Sequence, residues 1–348
     1  VRSRRQRQMC IRDRLNEIEW GIIALDEAQA IKNPNAQRTL AAKSLKSQGR
    51  IAITGTPLEN SIQDMWSIFD FCMPGLLGLL DQFNEIFSND IHGAKRIEVL
   101  TSPLLLRRMI QLVKDDLPDI LTYEHIVEMS EFEQDAYAQF STNYQDKGLL
   151  AQLQYERQFC CWPKLVLPHI VDNPTTKLHR LFDILDSLSG GTDKVVIFTS
   201  FTQVLDKLRN EIAMRYYGET MDNILFIDGR NSTEAIDIIR EFENQSGFAV
   251  ICLNPKAAGV GLNITAANHV IHYNPEWNPA ITSQATARVF RIGQEKNVIV
   301  HWLYYENTIE ERMIDILDRK SELFAVAVKG NTGKDILGIS IDEIVSEV

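Results

Sequence analysis

The sequence predicts an α/β protein of two lobes, each built on a parallel sheet with packed helices, and a helical insertion between them. Three observations predict it. A length of 348 residues exceeds one ordinary core and suits two. Short continuous apolar runs end in polar or acidic residues, as strands of a parallel sheet covered on both faces do. After residue 174 such runs alternate with amphipathic helical segments, the pattern of strands joined by crossover helices.

In chain order, the first fourteen residues crowd Arg2, Arg4, Arg5, Arg7, Arg12 and Arg14 without apolar periodicity. They read as non-native or disordered rather than as a basic nucleic-acid arm, because an apolar strand begins abruptly soon after. Trp20 to Leu25 (WGIIAL) is that strand, predicted buried and parallel, and it ends in Asp26 and Glu27. Arg50 to Thr54 (RIAIT) belongs to the same sheet and breaks at Gly55, Thr56 and Pro57. From Ser61 to Pro174 the spacing is helical, with no alternating β pattern, so 15–130 is assigned to the first lobe with a helical protrusion and 131–173 to a connector.

The second lobe, 174–328, follows: a helix over 176–188, a strand over 194–199, a helix over 203–215 and a strand over 223–227. Ser232 is the expected N-cap of a helix carrying Ala235, Ile239 and Phe242 inward. Strands are expected over 248–253, 269–273 and 298–304. The last helix opens on a capping box of Thr308 and Glu311 and turns Ile309, Met313, Ile316 and Leu317 inward. The polar tail from residue 329 is expected to be partly disordered.

Composition narrows the function classes. Apolar residues at 45% and charged ones at 24% are those of a soluble globular chain, and no apolar run is long enough to span a bilayer. A net charge of -11 argues against holding nucleic acid by bulk positive field, so any DNA path must be a local basic stripe. The five cysteines, Cys10, Cys72, Cys160, Cys161 and Cys252, form no C-x-x-C pair, which suits a reducing cytosol and not zinc.

Three segments carry chemistry. Asp26-Glu27-Ala28-Gln29 sets two carboxylates at a strand end, one able to hold Mg²⁺ and one able to orient an attacking water; alone it could equally cap a helix. Ile53 to Asn60 (ITGTPLEN) leaves the Thr54 and Thr56 hydroxyls near the same strand ends. Gln284 to Gln294 (QATARVFRIGQ) sets Gln284, Arg288 and Arg291 at i, i+4 and i+7 of a predicted helix, one face of an amide and two guanidiniums suited to a transferring phosphoryl group. It follows a Gly-rich turn, Ala257 to Asn263 (AAGVGLN), whose amides can meet phosphate, although Gly259 and Gly261 also suit a simple tight turn.

These segments, in this order, resemble the Swi/Snf family of superfamily-two helicase-like ATPases from about Leu15 to Ala327. DEAQ at Asp26 resembles motif II, TGTPLEN from Thr54 motif III, and LLRR from Leu105 the family's basic stretch. VVIFTSF from Val195 resembles motif IV, AAGVGLNITAA motif V, and QATARVFRIGQ motif VI, whose RIGQ ending is rather specific.

The resemblance implies two RecA-like lobes of the P-loop NTPase type, with ATP and Mg²⁺ as cofactors. Asp26 and Glu27 serve the metal and the water, and Arg288 and Arg291 act as arginine fingers. Gln284, Gly259 and Gly261 meet the nucleotide. Gln29, Thr54, Gly55, Thr56 and Trp277 couple hydrolysis to DNA, Trp277 being equally readable as core. Ser200, Asn263 and Thr265 lie near the DNA backbone. The implied partners are duplex DNA, bound without regard to sequence, and a DNA-bound protein cargo, with the motor monomeric and no membrane involved. Such a motor is expected in the cytoplasm, on the nucleoid of a prokaryote, or in a eukaryotic nucleus.

Departures from the family pattern are Ala287 before the first motif VI arginine, Asn254-Pro255 ahead of motif V, and Trp162 after the cysteine pair. A larger one is the P-loop: no G-x-x-x-x-G-K-[ST] occurs in the 348 residues, so that segment is expected upstream of residue 15, and this stretch by itself is expected to be inactive toward ATP. The alternatives are a strand-separating helicase or restriction-system motor and, from another class, a non-hydrolysing DNA-binding or scaffold remnant.

Overall fold

The computed structural model describes residues 14–58, 61–107, 117–143, 148–218, 224–257 and 261–327. The first thirteen residues and the tail from 328 onward lie outside these, and so do the readings placed on them. Two compact bodies emerge: residues up to 113 with those from 318, and residues 114–317. Residues 131–173 lie within the second body in this division.

In the first body β1 (Trp20–Leu25) and β2 (Ser47–Ala52) pair in parallel, joined through α1 (Gln37–Ser44). Helices α2 (Ile62–Cys72), α3 (Leu80–Ile86) and α4 (Ile91–Thr101) follow. A reciprocal capping box between Ser61 and Asp64 starts α2, which buries Ile62, Met65, Trp66 and Phe69 against Phe83 and Ile97. Arg50 holds the two strands to α2 and α1 by donating to the carbonyls of Phe71, Lys43 and Leu45. Parallel pairing agrees with the sequence reading, but burial of β1 does not. Ile22 is 64% exposed and only Ile23 is buried, packed with Ile31 and Phe71. The described sheet has two strands, so it offers each strand few neighbours and leaves one face open.

The second body is a six-stranded, wholly parallel sheet of order β3-β8-β7-β4-β6-β5. Its first strand, β3 (Ile120–Val127), lies where the sequence predicts only helices. As an edge strand, paired on one side by β8 and half exposed, it shows neither a continuous apolar run nor a clean alternation. Helices α5 (Glu131–Asn143), α6 (Leu149–Cys161) and α7 (Thr176–Leu188) come next, followed by β4 (Lys194–Phe198) and α8 (Thr202–Tyr216). Then come β5 (Leu225–Ile227), α9 (Ala235–Asn244), β6 (Ala249–Leu253), β7 (His269–His272), α10 (Pro279–Thr286), β8 (Val298–Tyr305) and α11 (Ile309–Ala327).

Every residue of β4, β6 and β7 is buried. Alternate residues serve opposite faces: Val195 and Ile197 meet Leu181, Leu185 and Leu208 of α7 and α8, while Val196 and Phe198 meet Ile239 and Phe242 of α9. Ala235, Ile239 and Phe242 turn inward as expected, although α9 begins at Ala235 with Glu234 rather than Ser232 before it. Ile309, Met313 and Leu317 are also inward, whereas Ile316 is 39% exposed. Thr308 caps α11 by accepting from the Glu310 amide, but Glu311 accepts from the Asn307 amide rather than that of Thr308, and Asn307 takes the left-handed conformation at φ 55°.

Candidate nucleotide and DNA site

Ligand crevices of parallel sheets lie beyond the carboxyl ends of their strands. In the first body Asp26 and Glu27 follow β1, and Thr54 to Thr56 follow β2. A hydrogen-bonded path joins them. Gln29 donates through Nε2 to Glu27 Oε2 at 2.5 Å, and its Oε1 accepts from the Thr54 hydroxyl at 2.6 Å. Thr54 Oγ1 in turn accepts from the Thr56 amide at 3.0 Å. Glu27 takes a left-handed conformation at φ 50°, uncommon outside glycine, and turns the chain into the short helical turn of Ala28–Ile31. Asp26 accepts the Glu27 amide and remains exposed, with Gly55 exposed beside the path.

An exposed carboxylate at a strand end suits Mg²⁺, which keeps several waters and takes one or two protein oxygens beside substrate phosphates. The donor set therefore fits the metal, which Asp26 would hold. The Thr56 hydroxyl oxygen is buried and has no partner among the described residues.

In the second body the strand ends carry Ser200, Asn254 and Asn274, after β4, β6 and β7. Asn254 donates to the Ser200 carbonyl at 2.9 Å, so this departure from the family pattern has a structural task. Asn274 accepts from the Thr199 hydroxyl and donates to Ser200 Oγ, which itself donates to Glu276. Arg157 of α6 donates to the Pro275 carbonyl at 3.0 Å and lies over the rings of Phe201 and Trp277. Arg157, Asn274 and Glu276 were not legible as site residues, since nothing local marks them. Trp277 is half-buried against the Tyr137–Phe159 cluster, and Asn278 caps α10 through the Ala280 amide.

Motif VI departs from the predicted helix. Helix α10 ends at Thr286, and the chain continues in tight turns in which Val289 and Phe290 both donate to the Thr286 carbonyl. Arg288 and Arg291 thus stand on a turn, Gln284 on the helix. Buried Gln294 fixes that turn by donating to the carbonyls of Thr265, Ala267 and Val289. Arg291, exposed, donates to Asn263 Oδ1 at 2.6 Å. Gly261 has φ 68°, a conformation that favours glycine, and Gly259 lies outside the described residues.

The comparisons with known proteins agree with this order of elements. A family profile described as the SNF2-related domain matches residues 8–184, and the helicase conserved C-terminal domain matches 176–293. The chain belongs to the SNF2 family. It is similar to the Zorya protein ZorD of Escherichia coli O139:H28, 35% identical over 87% of this chain and 31% of that protein. It is also similar to a putative ATP-dependent helicase/translocase, YwqA, of Bacillus subtilis, 33% identical over 89% of this chain and 36% of the relative. The chain thus spans about a third of the curated relatives it matches.

A solved structure, the Sulfolobus solfataricus SWI2/SNF2 ATPase core in complex with dsDNA, is 33% identical over 95% of this chain and 73% of that one, with a TM-score of 0.47. Both bodies of this SNF2-family chain are α/β units with parallel sheets.

Proposed function

We propose that this SNF2-family chain is part of an ATP-driven motor that moves along duplex DNA and displaces or remodels proteins bound there. The observation that carries the reading is the Glu27–Gln29–Thr54 path, which links the acidic strand end to the threonine turn of the same lobe. Asp26 would hold Mg²⁺, which would supply charge neutralisation for the nucleotide phosphates. Glu27 orients the attacking water, and its Gln29 bond makes that orientation sensitive to Thr54. Arg288 and Arg291 supply guanidiniums for the charge that develops on the transferring phosphoryl group, with Gln284 and Gly261 beside the nucleotide. Ser200, Asn263 and Thr265 meet the DNA backbone, and Trp277 links that groove to α10. The motor works as a monomer in a reducing compartment.

Support comes from the printed descriptions of relatives as ATP-dependent helicase/translocase and of a homologous core bound to dsDNA. The test measures phosphate release by the intact protein with and without duplex DNA, beside displacement of a labelled strand. Stimulation without strand displacement is expected. Strand separation at the rate of hydrolysis would favour a helicase, and absence of hydrolysis a DNA-binding remnant. Duplex affinity is expected to be independent of sequence and to fall steeply with salt, because phosphate contacts dominate it.

A further inference from the structure

The Ser200 hydroxyl, at the end of β4, is fully engaged by its neighbours. Its proton goes to Glu276 Oε1, and Oγ accepts from Asn274 Nδ2 at 2.7 Å. The Ser200 amide is engaged as well, by Asn274 Oδ1 at 3.2 Å. A phosphate oxygen only accepts, so it finds no donor at Ser200 while Glu276 holds the hydroxyl. Glu276 also brings a buried negative charge to the same point, at 6% exposure.

The carboxylate has a second partner within reach. Its Oε2 lies 3.6 Å from Arg157 NH2, close enough for attraction and too far for a hydrogen bond. That guanidinium spends its good hydrogen bond on the Pro275 carbonyl instead, at 3.0 Å. A shift of the carboxylate toward Arg157 that draws Oε1 away from Ser200 would exchange the serine bond for an ion pair with the guanidinium and free the serine proton.

We propose that Glu276 sets how tightly the end of β4 takes a backbone phosphate of nucleic acid: it withholds the Ser200 hydroxyl and releases it by closing on Arg157. The inference rests on the reading of Ser200 as a DNA contact. No sequence motif marks Glu276, and its effect runs opposite to that of a contact residue, since it holds affinity down.

The experiment titrates this chain with a short blunt duplex across a salt series. Glu276→Gln keeps the volume and an acceptor oxygen but removes the charge. Duplex binding is expected to tighten about fivefold, because a neutral amide oxygen holds the serine proton less firmly than a carboxylate. In Ser200→Ala/Glu276→Gln the gain disappears, because there is no hydroxyl to release. Glu276→Asp, which keeps the charge beside Arg157 but draws the carboxylate back from Ser200, is expected to tighten binding about twofold, and it decides the matter if Glu276→Gln does not unfold cooperatively. Unchanged or weaker binding in the folded variant, or a gain that survives removal of the Ser200 hydroxyl, overturns the proposal alone. Failure of the unsubstituted chain to bind duplex at all overturns the DNA reading with it.

Discussion

The Arg291 guanidinium donates to the Asn263 side-chain oxygen at 2.6 Å, so a residue expected at the nucleotide and one expected at the DNA are direct partners. The bond aims an otherwise exposed arginine. In the intact motor Arg291→Ala is expected to lower DNA-stimulated phosphate release by ~10³, since the guanidinium meets charge that develops mainly in the transition state. Asn263→Ala keeps the charge and loses its aim, and a loss of about tenfold is expected. Normal turnover in Arg291→Ala would remove the finger assignment.

Thr54→Val tests the path between the two strand ends of the first lobe. Valine matches threonine in shape but cannot donate to Gln29, and it leaves the Thr56 amide without its acceptor. Losing one such bond in a partly buried site costs about 1 kcal/mol. The fold is expected to survive while duplex DNA no longer accelerates hydrolysis. Retained stimulation in the valine variant would show that the path carries no coupling.

Lys177 and Glu310 form an ion pair with side chains at 0% and 1% exposure, under the rings of Tyr305 and Tyr273. Burial raises the Glu310 carboxyl above its ordinary range, and Lys177 opposes that shift. Lys177→Met leaves the carboxylate uncompensated and is expected to cost ~3–5 kcal/mol in urea unfolding. Adding Glu310→Leu is expected to restore most of it. A single variant as stable as the parent would contradict the burial of the pair.

Four histidines give the second lobe a pH dependence. Arg180 lies 3.0 Å from His125 Nδ1, and arginine only donates, so His125 Nδ1 accepts and its Nε2–H points to His301 Nδ1 at 2.9 Å. His301 Nε2–H then points to His269 Nδ1 at 3.1 Å. Each imidazole in this ladder is neutral. Burial pushes His301 and the separate His272 down to about 3, and lowers His125 and His269 as well, with Arg180 adding to the effect at His125 and Lys296 working against Asp193 at His269.

The unfolded chain takes up these protons near pH 6.5, the folded chain only at lower pH. Stability is therefore fully present above about pH 6.5 and falls by about 1.4 kcal/mol per pH unit for each neutral histidine on going down toward its folded value. Urea midpoints measured between neutral and acid pH are expected to follow this slope, with His272→Gln flattening it by one histidine's share. A flat profile in the parent chain would mean the imidazoles are protonated in the fold.

The legibility of the fold followed burial. Strands β4, β6 and β7 were evident as continuous apolar runs because helices cover both faces of the sheet, and every residue in them is buried. Strand β3 was missed because an edge strand, half exposed, carries Thr122, Glu124 and His125 among its apolar residues. Strand β1 is legible as parallel but not as exposed. Its apolar composition reports a tendency to be covered, whereas the cover itself depends on which elements pack there.

The chemistry divides in the same way. Asp26, Glu27, Thr54, Gln284, Arg288 and Arg291 were evident in the sequence because charge, hydroxyl and amide are properties of a side chain and their order along the chain is local information. Which partner each one meets is not local. The helical period carried Arg288 and Arg291 onto one face, but α10 ends at Thr286, and Gln294, held by three carbonyls, builds a turn in its place. Ser200 finds Glu276 across 76 residues, and Thr54 finds Gln29 across 25, because parallel strands bring their carboxyl ends to one edge of a sheet. The sequence by itself determined the family, the α/β class and the order of the polar residues at the strand ends. Only the tertiary structure decided which hydroxyl is withheld, which arginine is aimed and which histidines stay neutral, since each depends on distances and burial that exist only once the strands are paired and packed.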